Sequence, residues 1–236
     1  MLKELLSIFR GDDPLGRMAN DFSTMLRLAR EMTVTAGGAC FEQRLSTEGR
    51  TALYKQDVEV NKLERKIRKA VIAHLSIAAN ISDLPYCLLL MSLVKDVERI
   101  GDYAKNLAEV PDYRPDPLSA TEVHAALLAI RQVVDKSFGE TVQVFSNCDR
   151  DRALELIRDG KGVAEQCEAL IHQVAAGTQN AATTTALVLA IRYYKRIGGH
   201  LLNVLSSVVM PLHKLDYYDE RELDTTERDH PAATGD

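Results

Sequence analysis

Apolar residues recur along this chain at spacings of three and four, the pattern of helices that each bury one stripe. Leu2, Leu5, Leu6 and Phe9 open it, with Lys3, Glu4 and Arg10 off the stripe, and Gly11-Asp12-Asp13-Pro14 closes it. Residues 1–14 therefore read as a short amphipathic arm, docked on its own domain or a second copy, or set against a membrane surface or partner. From Leu15 to about Glu48 a long helical pattern runs through Met18, Phe22, Met25, Leu26, Ala29 and Met32. Gly37-Gly38 interrupts it, and because each Gly costs about 1 kcal/mol relative to Ala in a helix interior, a bend or break is expected there. A second helix spans about Thr51 to Ile77, with Leu53, Val60, Leu63, Ile67 and Val71 on its apolar side, His74 on or beside that stripe, and Lys62, Arg65, Lys66 and Lys69 turned outward. A third starts where Ser82 and Asp83 offer caps and Pro85 fits the first turn, and ends near Val110-Pro111.

The plan then repeats. Pro115 and Pro117 mark a linker, and Ser119-Ala120-Thr121-Glu122 has the form of a capping box. Helices are expected from Ser119 to about Asn147, from about Asp149 to Ala176, and from Ala181 to about Val209, with Pro211 closing the regular part. The tail beyond Tyr218 is rich in Asp, Glu, Thr and Arg and reads as acidic and disordered. The repeat is visible in the residues themselves: Arg99-Ile100-Gly101 returns as Arg196-Ile197-Gly198, and Asn106 as Asn203, at an offset of 97 positions. That is a domain duplication. The expected architecture is all-α, two tandem up-down three-helix bundles: an arm over 1–14, a first bundle over 15–110, a linker over 111–118, a second, degenerate bundle over 119–213 and a tail over 214–236.

Composition agrees and narrows the function classes. Among 236 residues only 6% are aromatic and none is Trp, which disfavours strands. The balance of 29 basic against 34 acidic residues, net −5, argues against a nucleic-acid footprint. Cys40, Cys87, Cys148 and Cys167 show no paired spacing for zinc or redox chemistry and read as reduced packing residues. The longest apolar run, near Leu84 to Val94, falls short of the ~20 residues needed to span a bilayer, and no secretory signal pattern opens the chain. A soluble cytoplasmic protein is expected.

The candidate chemistry is acidic. Glu98, Asp102, Asn106 and Glu109 fall at i, i+4, i+8 and i+11 on one helix face, and Asp57, Asn61 and Glu64 fall at i, i+4 and i+7 on another. Acids four apart repel by a few tenths of a kcal/mol, and a cation removes that penalty. Where the two faces meet, a groove would offer only oxygen ligands, suited to Mg²⁺, Ca²⁺ or Mn²⁺ and to iron held by carboxylates. The candidate ligands are Glu98, Asp102, Asp57, Asn61 and Glu64, for a divalent or trivalent ion that the residues leave open among iron, manganese, magnesium, zinc and calcium. Lys95, Arg99 and Lys105 offer ion pairs that would neutralise the same face without a metal, and the residues leave both readings open. In the second half Lys195 and Gly199 stand at the positions of Glu98 and Asp102, Lys161 and Glu165 at those of Asp57 and Asn61, and His200 at that of Tyr103. One metal site, in the first half only, is the expectation, with His200 a hydrogen-bonded or solvated side chain or a lone ligand.

Enzyme readings find little support. A di-iron carboxylate oxidase needs Glu-x-x-His on paired helices, and Glu98 is followed three places on by Gly101. There is no Gly-rich phosphate loop, nucleophile elbow or recognisable Ser-His or Cys-His signature.

Residues Val97 to Glu109, V-E-R-I-G-D-Y-A-K-N-L-A-E, resemble the hallmark L-E-R-I-G-D-H-A-x-N-I-A-E of the PhoU family, and Asp57 to Glu64, D-V-E-V-N-K-L-E, resemble its earlier signature D-x-x-I-N-x-L-E. The resemblance implies a pair of three-helix bundles and a non-enzymatic cytoplasmic regulator of phosphate uptake and signalling. It also implies bridging between a phosphate transporter and a sensor histidine kinase, with metal clusters held by E/D-x-x-x-D motifs. Glu98 and Asp102 match one such motif, and Asp57 with Asn61 match its partner. The chain departs from the family where Pro85 replaces an Arg and where the second hallmark, Lys195 to His200, lacks both acids. The alternatives are a metal-binding or metal-storing helical protein and an accessory of a sodium-phosphate or low-affinity phosphate transporter; a homodimer through equivalent apolar faces is also expected.

Overall fold

A computed structural model describes residues 13–113 and 122–215. Residues 1–12 of the expected arm, most of the expected linker, the first three residues of the capping box and nearly all of the expected tail lie outside them. Six long helices account for the described chain: α1 (Pro14–Phe41), α2 (Thr47–Leu75), α3 (Leu84–Glu109), α4 (Glu122–Asn147), α5 (Arg150–Ala175) and α6 (Ala181–Val209), with no strand among the described residues. Their starts are written in the sequence. Asp13 accepts from the Gly16 amide at 2.6 Å, Ser46 from Gly49 at 3.1 Å, Asp149 from Arg152 at 3.1 Å and Asn180 from Thr183 at 2.9 Å, so each side chain satisfies an amide the first turn leaves free. Between α4 and α5 the reversal is made by Cys148 in the left-handed region, φ 52°, with the Asp149 amide returning to the Val144 carbonyl at 3.1 Å, the Schellman closure of a helix.

Two local expectations are corrected. α1 runs unbroken through Gly37-Gly38 to Phe41, so the break expected there does not occur. The reason is packing: a Cβ on Gly37 would stand 2.6 Å from Tyr194 Oη and 2.9 Å from Arg131 Nε, so the residue is a place of close approach between α1 and the second half. Asp83 does not cap α3 with its side chain. Its carboxylate instead takes His74 Nε2 at 2.8 Å, while the Asn80 amide donates to the His74 carbonyl at 2.9 Å, which ties the short 3₁₀ turn Ala78–Asp83 to the end of α2 and makes His74 a hydrogen-bonded structural histidine.

The halves meet on four helices. α1, α3, α4 and α6 pack against one another, whereas α2 flanks the first half and α5 the second. Phe22 of α1 meets Phe145 of α4 with ring centroids 5.1 Å apart, and Phe41 meets His124 at 5.7 Å, so α1 and α4 run antiparallel. At the α3–α6 crossing, Tyr103 stacks on His200 at 5.8 Å and packs on Tyr193 at 6.2 Å. His200 is the repeat equivalent of Tyr103, and Tyr193 that of Asp96. Asp96 contacts His200 just as Tyr193 contacts Tyr103, the reciprocity of a two-fold interface. The duplication thus pairs with itself inside one chain, and one continuous buried cluster runs through both halves. Cys40, Cys87 and Cys167 are buried in it. No helix among the described residues is long and apolar enough to cross a membrane.

Candidate functional site

α2 and α3 lie side by side, and the tight approach is set at Gly101, whose Cβ would come 3.8 Å from Asp57 Oδ1 and 3.6 Å from the Met32 methyl. The i, i+4, i+7 spacing on α2 sets Asp57, Asn61 and Glu64 along the α2–α3 groove, where Asp57 shares a cation with Asp102, Asn61 bonds Asp57 and Glu64 acts on Glu98. Lys105 occupies it. Its ammonium is 2.9 Å from Asp57 Oδ2 and 3.0 Å from Asp102 Oδ1. Burial works against that charge, and the hydrogen bonds to Asp57 and Asp102 outweigh it, holding Lys105 above the ordinary lysine range. Asn61 Nδ2 donates to Asp57 Oδ2 at 3.4 Å, Arg99 Nη1 to Asp102 Oδ2 at 3.3 Å, and Arg68 Nη2 to Glu64 Oε1 at 2.7 Å. Further along the face, Glu109 accepts from the Tyr54 hydroxyl.

Glu98 is the least compensated acid. Its nearest cation, Arg99 Nε, is 3.6 Å away. Burial and then the Asp102 charge raise its carboxyl above the ordinary glutamate range, with Glu64 adding to the effect. A carboxyl with a raised folded pKa binds its proton more tightly in the native chain, so stability falls as pH rises above the unfolded value of about 4.3. Glu98→Gln is therefore expected to stabilise the chain at neutral pH by a few tenths of a kcal/mol, the scale of one relieved like-charge pair, with the gain vanishing at pH 4 and below. Thermal melts of both chains across pH check it.

The oxygen-only donor set suits a hard cation, but the arrangement does not fit one as it stands. Among the described residues no group of three His, Cys, Asp or Glu converges as metal ligands, and the Lys105 ammonium stands between the two aspartates. In the second half the two acids of the hallmark helix are absent and the corresponding contact is direct: Lys195, at the Glu98 position, pairs with Glu168, at the Glu64 position. The hydrogen bond from Lys195 holds the Glu168 carboxyl below its usual range.

Asp96 escaped the reading of the sequence. It is fully buried, and its Oδ1 accepts from His200 Nδ1 at 2.8 Å and Asn203 Nδ2 at 2.9 Å across the α3–α6 crossing. The signal was available: Asp96 lies three residues after Leu93 and four before Ile100, both buried, so an acid stands on the apolar stripe itself, where it is uncommon without a partner.

Comparison with known proteins places these features in context. The PhoU domain family matches residues 15–110. The chain is 27% identical over 218 residues to a phosphate-specific transport system accessory protein PhoU homolog of Synechocystis sp., covering 84% of this chain and 88% of that one. It is 24% identical to the PhoU of Escherichia coli K12, covering 79% and 83%. In structure it is similar to PhoU from Pseudomonas aeruginosa, with a TM-score of 0.73 at 21% identity over 83% of this chain and 95% of that one. For PhoU from Streptococcus pneumoniae the TM-score is 0.69 at 17% identity, over 85% and 94%; these two likenesses speak to the fold.

Proposed function

We propose that this chain, which matches the PhoU domain family over residues 15–110 and is 27% identical to a PhoU homolog, is an accessory and regulatory protein of phosphate transport. In this reading it acts without catalysis, as a helical adaptor on the cytoplasmic side of a phosphate transporter, a sensor histidine kinase, or both. The observation that carries the reading is that relatives named as accessory proteins of phosphate-specific transport align across both halves of the chain. An apolar end supports the adaptor role: Ile72, Ile77, Ile81, Leu84 and Leu88 remain exposed around the turn between α2 and α3, a grouping that marks contact surfaces on proteins of this size. The test is co-purification of the full tagged chain from phosphate-replete cells, with phosphate uptake measured after deletion. Enrichment of a phosphate transporter or a sensor kinase, with altered uptake, is expected. Neither partner enriched and uptake unchanged would overturn the proposal.

A second reading, a metal-binding protein, is favoured by the convergence of Asp57 and Asp102 on one cation, the Lys105 ammonium, at 2.9 and 3.0 Å. In this reading Asp57, Asn61, Glu64, Glu98 and Asp102 are the ligands and Lys105 is their resident cation. Equilibrium dialysis against Mn²⁺ separates the possibilities. Lys105→Gln is expected to bind Mn²⁺ roughly tenfold more tightly than the unaltered chain, an effect of about 1.4 kcal/mol, and the further changes Glu98→Gln and Asp102→Asn are expected to abolish it. No Mn²⁺ uptake by the Lys105→Gln chain would end this reading.

A further inference from the structure

The duplication kept the groove of the second half and inverted its charge. A cavity of ≈ 440 Å³ opens between α5 and α6, within the range of about 300–1,000 Å³ typical of small-molecule sites. From α6 it is lined by Arg192, Lys195, Arg196, Gly199, His200 and Asn203. Their spacing is i, i+3, i+4, i+7, i+8 and i+11, one continuous stripe of a helix. The equivalent stripe on α3 carries Glu98 and Asp102. Here Lys195 stands for Glu98, Gly199 for Asp102 and His200 for Tyr103, so two acids have left and a cation and an imidazole have arrived.

Three features make this stripe more than a solvated basic face. Lys195 is already committed to Glu168, yet neither Arg192 nor Arg196 forms an ion pair among the described residues, although both sit on the cavity wall four residues apart. Like charges at that spacing repel by a few tenths of a kcal/mol, a penalty that a shared anion removes. His200 is oriented rather than loose: Asp96 and the Tyr103 ring fix it from behind, with its Nδ1 donating to the buried carboxylate, which leaves Nε2 as its free ring nitrogen. The space is also real at the position that lost its acid, because a Cβ on Gly199 would meet nothing within 4 Å.

We propose that the α5–α6 cavity is an oxyanion site that takes a phosphate group, free or as a small phosphate monoester, between Arg192 and Arg196 with His200 and Asn203 as further polar contacts. Two guanidinium forks present paired N–H donors that match tetrahedral oxyanions, and the cavity has room for more than the bare anion.

The test is equilibrium dialysis of the full chain against labelled inorganic phosphate and, in parallel, adenosine monophosphate. Saturable binding of one equivalent of either probe is expected, weakened by added salt. Phosphate alone binding marks a free-anion site, and tighter binding of the nucleotide marks a monoester site. The Arg192→Gln, Arg196→Gln double variant is expected to lose roughly tenfold or more in affinity with its helical circular dichroism unchanged, while Lys95→Gln, at the first-half equivalent of Arg192, leaves binding as it was. The proposal falls if neither probe saturates at millimolar concentration, or if the arginine double variant binds as well as the unaltered chain. Such a failure leaves the transport reading intact, since co-purification with a transporter or kinase does not depend on this cavity.

Discussion

Replacing Asp96 by alanine is expected to lower the unfolding free energy by about 2–4 kcal/mol, the range for removing the charged member of a buried hydrogen-bonded set. For a chain of this size that corresponds to a fall of roughly 5–15 °C in the melting temperature. Asp96 is fully buried and is the common acceptor for His200 at 2.8 Å and Asn203 at 2.9 Å, so truncation strands two donors at the crossing of α3 and α6. Its other oxygen, Oδ2, has no hydrogen-bond partner, and Lys95 Nζ, on a half-exposed side chain, comes only to 3.9 Å. The native interaction is thus concentrated on one oxygen. Asp96→Asn keeps that acceptor and is expected to cost less than half as much. Thermal melts of the three chains measure the difference, and an alanine variant melting with the unaltered chain would remove Asp96 as the polar link between the halves. In the oxyanion assay, the same variant frees the His200 ring and is expected to weaken binding even where the fold persists.

What the sequence made legible and what it hid divide along one physical line. Helix number and type follow from stripes of period 3.6, a local signal, whereas the caps Asp13, Ser46 and Asn180 went unread and α2 begins at Thr47 rather than near Thr51. That Asp57 on α2 and Asp102 on α3 stand on faces that meet was also legible, because the two spacings point at one another once the helices are neighbours. Lys105 was visible as a cation on the acidic face, but its seat between Asp57 and Asp102 depends on a contact 48 positions away, and no helix-local rule distinguishes that from an i,i+3 pair with Asp102. The Asp96–His200–Asn203 set and the reciprocal Tyr103–Tyr193 contact arise only from the pairing of the two halves. The repeat was read as two copies in series, and nothing in the spacing of the copies says that α3 and α6 cross face to face. The misreading of Gly37-Gly38 has the same origin: propensity assigns a break, and the partner helix assigns a close approach.

Gly37 supplies the second large effect, and its sign depends on one oxygen atom. In an exposed helix interior, Gly→Ala would stabilise by about 1 kcal/mol. At this position the new Cβ lands 2.6 Å from Tyr194 Oη and 2.9 Å from Arg131 Nε. Arg131 is held by Glu42 at 2.9 Å and Asp135 at 3.4 Å, both partly exposed acids, and its guanidinium can shift by a few tenths of an ångström with them. Tyr194 cannot: it is fully buried, with its ring packed on Phe41 at 6.2 Å. Overpacking of this kind costs about 1–3 kcal/mol, so Gly37→Ala is expected to destabilise the chain despite the propensity gain. The obstructing hydroxyl has no hydrogen-bond partner in its buried position, so Tyr194→Phe removes an uncompensated polar group and is expected to be neutral or slightly stabilising. In that background the alanine Cβ no longer meets the oxygen, and Gly37→Ala is expected to reverse sign and stabilise by up to about 1 kcal/mol. A double-mutant cycle by denaturant unfolding measures the coupling, expected at about 1–3 kcal/mol for residues in direct contact. A coupling indistinguishable from zero would mean that α1 and α6 do not approach as closely at Gly37 as the packing requires, and with it would go the reason this helix continues through two glycines.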